Sequence, residues 1–260
     1  MKLLKVLALC AALAPITQVH AELAENFRVL MVTQKYPPMV ISKKQGHFAR
    51  NTDLKGISVD LVREMFKRAG IGYDITMRYP LSHLYSMVLS SPDAAYFPME
   101  YTNSRKSQFQ WVGPLGQANQ LLVGKNNKSY SVETATDISI YHVGAYSKSG
   151  AAEYLSQQGI PFVKRAGPEK VLDDLMAGDL DLWAVSEPEY QALIHQRGIT
   201  NLRVIKVLQN QSYYLALNRN IPADAVRRLQ HALDFMRQDG TLTRIAEAYT
   251  HQDKLVSLAN

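Results

Sequence analysis

Cysteine is nearly absent from this chain: Cys10 is the single one in 260 residues. That excludes a disulfide framework, and removal of the first residues would also exclude a thiol nucleophile and a thiolate-ligated metal. The seven histidines show no His-x-x-x-His or similar spacing, so no metal site is expected, and no cofactor either. There is no Gly-x-Ser-x-Gly elbow, no dinucleotide fingerprint and no Gly-Lys-Ser/Thr phosphate loop. Charge of one sign is never concentrated. The net charge is +6, but lysine and arginine are scattered through every segment, which argues against nucleic acid as a partner. Beyond the first residues no apolar run approaches the roughly 18 residues of a membrane span, so no span is expected in the mature chain.

What is present begins with MKLLKVLALCAALAPITQVHA. Lys2 and Lys5 precede an apolar run of roughly ten residues, and Val19-His20-Ala21 offers the small residues of a signal-peptidase cut. Residues 1–21 therefore read as a secretory signal peptide and place the mature protein in the periplasm. The bulky Leu9 beside Cys10 argues against a lipoprotein signal. Without this segment 239 residues remain with a net charge of +4. That is enough for two modest domains, each held together by its core alone.

Periodicity then sets out an α/β order. FRVLMVT (27–33) reads as a buried strand, and Tyr36-Pro37-Pro38 forces an extended turn. Residues 42–55 look like a polar loop. The next segment places Val59, Val62, Phe66 and Ala69 on one helical face, with Gly70 as its stop. The alternation of Tyr73, Ile75, Met77 and Tyr79 is a strand; Ser82 caps a short helix to Ser90, and 93–99 is a third strand. A second set begins at 120–125, continues with a strand over 138–146 and a helix capped by Ser149, then a strand near 162–164. A helix from Pro168, a strand over 181–186 and a helix opened by Pro188 follow. Strands at 201–208 and 212–218 and helices at 223–238 and 242–249 complete the chain. The order predicts a parallel or mostly parallel sheet. Two such sets, without repeat or flexible linker, suggest two lobes sharing a cleft.

The order of elements resembles the family 3 periplasmic solute-binding proteins of amino-acid importers, which have the two-lobed type II binding fold with two hinge crossovers. The carriers are the Tyr36-Pro37-Pro38 turn, Gly-Ile-Ser-Val-Asp-Leu from Gly56, Thr102-Asn103-Ser104-Arg105 with Phe109, Leu-Met-Ala-Gly-Asp-Leu-Asp ending at Asp181, and Asp239-Gly240-Thr241. The resemblance covers nearly all of the mature chain. It implies one lobe from 22–116 with 212–260, a second from 117–211, and a monomer that captures a small carboxylate-bearing metabolite, an amino acid or related organic acid, for the permease of an ABC-type importer.

It also implies site residues. Arg105 falls where the family forks a guanidinium onto a ligand carboxylate, a match of fixed charge and planar donors, and Thr102 joins it in the clamp. Tyr36 matches the aromatic wall. Ser149 and Gly150 open the helix whose backbone N–H groups meet the same carboxylate. The departures are specific. Ser186, with Glu187 beside it, stands where an aspartate usually takes the ligand's ammonium; Pro98 and Glu100 stand where a small residue and a hydroxyl are usual; Thr33 replaces an acid. Either Glu100 or Glu187 supplies the missing negative charge, or the ligand has no ammonium. Glu100 has a second reading, as a simple ion pair with Arg105. Two other functions fit the same fold: a secreted prephenate-type dehydratase in which Glu187 or Glu100 protonates a leaving hydroxyl, and a ligand-sensing module for a signalling partner. Of these, solute capture without catalysis is the reading the sequence favours.

Overall fold

The structure, a computed structural model, describes residues 23–24, 26–46, 48–78 and 81–258. The expected signal segment, Cys10 and Tyr79 lie outside the described residues. The first half of the chain opens with β1 (Arg28–Thr33), β2 (Ile41–Ser42), β3 (Ala49–Arg50) and β4 (Leu54–Lys55). Residues 42–55, expected as loop, thus contain short strands, of which β2 and β4 pair as a two-stranded sheet. The helix α1 (Ile57–Ala69) buries Val59, Val62 and Phe66. It ends at Gly70, whose φ of 65° lets its N–H turn back to the last carbonyls of the helix. Then come β5 (Gly72–Met77), α2 (Leu81–Ser90) and β6 (Ala94–Glu100).

The middle of the chain holds β7 (Gln110–Lys125), α3 (Ala135–Ser139), β8 (Val143–Tyr146), α4 (Gly150–Gln157), β9 (Val163–Arg165), α5 (Pro168–Ala177), β10 (Leu182–Ser186) and α6 (Glu187–Arg197). It closes with β11 (Leu202–Leu217), α7 (Ala223–Gln238) and α8 (Thr241–Leu258). The strand expected over 138–146 is a correction: its first part is the short helix α3. Thr134 and Asp137 form a capping box in which the Asp137 N–H donates to the Thr134 hydroxyl and the Thr134 N–H to the Asp137 carboxylate, and this local bonding outweighs the strand-like alternation of Ile138 and Ile140. The two strands expected at 201–208 and 212–218 are one, β11, and β7 starts ten residues before the expected 120.

Nine strands form one sheet in the order β3-β5-β1-β6-β11-β7-β10-β8-β9. On either side of the centre the strands run parallel, β5-β1-β6 on one side and β10-β8-β9 on the other, with β3 antiparallel to β5 at the edge. Between them β7 and β11 run antiparallel along nearly their whole length, with register shifts near Lys206, Gln209 and Leu215 that let the pair bend. One core gathers Val29, Phe66, Phe97 and Leu115 with Leu217, Leu233 and Met236, from both ends of the chain. Two others pack on opposite faces of the middle strands, one around Trp183, Val171 and Leu175, the other around Leu182, Ala184 and Leu155. Burial on both faces explains why every residue of β10 is apolar up to Ser186 and buried. The fold is thus the two-lobed one that the resemblance implies, with β7 and β11 traversing both bodies.

Candidate functional site

A cavity of about 30 Å³, room for a water-sized guest, lies where the ends of β1 and β6 meet the start of α4 and the β10–α6 junction. Tyr36, Tyr96, Glu100, Arg105, Tyr213 and Glu189 all line it. The elements explain the composition. The ends of parallel strands and the first turn of helices leave backbone and side-chain polar groups pointing into the same space.

One end of the cavity is built on charge. Arg105 is buried, and its Nη1 and Nη2 donate to the carbonyls of Glu100 at 3.3 Å and Lys148 at 2.7 Å. The Glu100 and Glu153 carboxylates each stand 3.5 Å from its guanidinium. Glu100 accepts from the Gly150 backbone N–H at the start of α4 and from Gln120 Nε2 at 3.3 Å. The fit is tight: a Cβ on Gly150 would come within 2.6 Å of Glu100 Oε1. Burial pushes the Glu100 carboxyl up from its ordinary value, and Arg105 with the Gly150 N–H pulls against it. Ser149 caps α4, its hydroxyl accepting from the Ala152 N–H at 3.2 Å.

The other end is built on hydroxyls. The Tyr36 and Tyr213 hydroxyls are 2.6 Å apart, Tyr36 donates to Ser186 Oγ at 3.0 Å, and Ser186 donates to Glu189 Oε2 at 2.8 Å. Gln120 Nε2 connects Tyr213 to Glu100, so one hydrogen-bonded series runs from Glu100 to Glu189 across both bodies of the fold. Glu189 is buried and has no lysine or arginine within ion-pair distance among the described residues. Burial, with Ser186 opposing and Glu100 and Glu169 adding to it, raises its pKa to about 8. Burial and the nearby carboxylates likewise hold the Tyr36 and Tyr213 hydroxyls well above their usual value.

Tyr36, Glu100, Arg105 and Ser149 line the cavity, Gly150 meets it through its N–H, and Ser186 reaches it through Tyr36 and Glu189. Two expected residues do not. Thr102 faces Ser104, and its carbonyl closes the turn that holds Arg105. The Glu187 carboxylate accepts from Asn119 Nδ2 at 2.9 Å, outside the cavity. The helix explains the exchange: Glu187 is its first residue and turns away, whereas Glu189, two residues on, turns inward. The spacing Ser186-Glu-Pro-Glu189 is a capping-box pattern that aims the second glutamate back at its serine, and that signal identifies Glu189.

The model of the bacterial extracellular solute-binding proteins, family 3, matches residues 29–252. The chain belongs to that family. The solved structures agree on the fold. This family 3 protein is similar to a histidine kinase sensor domain described as resembling periplasmic binding proteins, with a TM-score of 0.75 at 19% identity, covering 85% of this chain and 95% of that one. It is also similar to the arginine-, lysine-, histidine-binding protein ArtJ of Geobacillus stearothermophilus, with a TM-score of 0.71 at 18% identity, covering 85% and 94%. A mutant of the T. maritima arginine-binding protein gives a TM-score of 0.71 at 18% identity, covering 86% and 96%. Among curated proteins none matches the sequence. No helix among the described residues of the family 3 protein is long and apolar enough to cross a membrane.

Proposed function

We propose that this family 3 protein captures a metabolite of about amino-acid size between two lobes, 22–116 with 212–260 and 117–211, outside the inner membrane, and presents it to the permease of an ABC-type importer. The observation that carries this reading is the series of hydrogen bonds from Glu100 through Tyr36 and Ser186 to Glu189, which joins the two bodies across the cavity. A cavity of this size admits such a ligand only when the lobes part along β7 and β11, as hinge closure requires. Closure then excludes water and strengthens each polar contact inside.

Mass spectrometry of molecules that co-purify, followed by a thermal-shift panel of amino acids, organic acids and amines, tests the capture. A ligand at 100 times its Kd stabilises by about 2.7 kcal/mol, which such a panel reads easily. No bound molecule and no shift with any compound would contradict capture. A second reading, a dehydratase on the same fold, has one observation behind it: Glu189 is a buried carboxyl kept protonated near neutral pH, the state a general acid needs. Adding prephenate and following phenylpyruvate in the ultraviolet tests it, and a steady absorbance rise would replace capture with catalysis.

A further inference from the structure

The cleft's two ends differ in what they still lack, and that difference bears on the ligand. At the charged end the arginine and the helix N-terminus already hold a carboxylate, that of Glu100. Arg105 is further occupied by two backbone carbonyls and by Glu153. A ligand carboxylate could reach this seat only by displacing Glu100, leaving three acids, its own with those of Glu100 and Glu153, around one guanidinium. At the other end Glu189 has the hydroxyl and backbone N–H of Ser186 but, among the described residues, no cation. Around it stand the rings of Tyr36, Tyr96 and Tyr213, whose faces and hydroxyls favour a cation. Lys148, the other cation at the cavity, is exposed and lies over the Tyr85 ring at 5.2 Å, so it does not answer Glu189.

We propose that the ligand is a small amine without a carboxylate on its amine-bearing carbon, its ammonium taken by Glu189 and the tyrosine hydroxyls, while Glu100 stands permanently in the seat of the missing carboxylate. This rests on the capture reading and narrows its ligand class. It makes Glu189 and Glu100 the residues that set specificity: one attracts the cation, the other refuses the acid. Without a ligand Glu189 is neutral, which spares a buried unpaired charge; with one, it ionises against the ammonium.

The test is a set of matched pairs that differ only in the α-carboxylate: agmatine against L-arginine, cadaverine against L-lysine, histamine against L-histidine, with glutarate as an acid lacking nitrogen. Thermal shift and calorimetry on the whole protein should show at least one amine binding tenfold or more tightly than its amino-acid partner. Glu189→Gln should weaken that amine at least tenfold, and Glu100→Gln should narrow the gap within the pair by freeing Arg105. Amino acids or glutarate binding as well as the amines would overturn the inference and leave capture standing. No binding by any member, with nothing co-purifying, would overturn both. The wild-type comparison decides the matter even if a variant does not fold.

Discussion

The two ends of the cavity carry the same kind of group, a buried glutamate, in opposite circumstances. Glu100 is compensated: a guanidinium, a helix N–H and an amide surround it. Glu189 is solvated, among the described residues, by a hydroxyl and a backbone N–H and no cation. The lesson is that a carboxylate in a cleft says little until its partner is known. The first is structure that excludes a ligand group; the second is an unanswered demand for one.

The largest way to break this comparison is Arg105→Ala. It strips the cation from Glu100 and Glu153 at once, and breaking a buried pair by removing one partner costs about 3–5 kcal/mol. Denaturant unfolding should show a loss of that order; a loss below about 1 kcal/mol would mean the charged end is not compensated as described. Next in size is the pH dependence set by Glu189, which is faced by Glu100 and Tyr96 on β6, Tyr36, Tyr213 on β11 and Glu169 on α5. Its folded pKa of about 8 lies above the ordinary carboxyl value, so the folded state holds a proton that the unfolded chain has released. Stability from this group is therefore full at low pH and lost as pH rises towards 8, by an amount on the order of a few kcal/mol. Glu189→Gln should remove that slope from thermal unfolding measured between pH 5 and 8; an unchanged slope would place the titration elsewhere.

Gly150→Ala sharpens the other end. The new Cβ meets the carboxylate end of the Glu100 side chain rather than backbone, so the helix need not move, but the carboxylate must leave its N–H. The expected loss is about 1.5–3 kcal/mol, the value of a hydrogen bond to a charged group. The smallest effect is the control, Glu187→Ala: its carboxylate accepts from Asn119 outside the cavity, so stability should change by less than about 0.5 kcal/mol and ligand affinity not at all. A loss of ligand binding in that variant would put the wrong glutamate in the cleft.

Much of the fold was legible because apolar periodicity reports burial, and in most segments burial decides the element. The helix predicted over 223–238 has those bounds in the structure, and Pro168 and Gly178 bracket α5 as their backbone preferences require. The long strands β7 and β11 were read only at their apolar parts. Their polar middles, Gln117 to Gln120 and Gln209 to Gln211, are held by the backbone ladder between them, which leaves no mark in side-chain pattern. The site was legible by residue type more than by direction. Arg105, Glu100 and Tyr36 announce chemistry by their identity, but whether Glu187 or Glu189 turns inward depends on where the helix begins. Likewise, Glu100 resting on α4 is a contact between bodies far apart in sequence, which no local pattern encodes.

The central claim is that Glu189 is a neutral acid awaiting a cation. It is tested most directly by calorimetric titration of the protein at pH 7 with whichever of agmatine, cadaverine or histamine stabilises it most, repeated in buffers of different ionisation enthalpy. If the ammonium ionises Glu189, close to one proton is released for each amine bound, and Glu189→Gln abolishes the release. Binding without proton release in the wild-type protein would contradict the account.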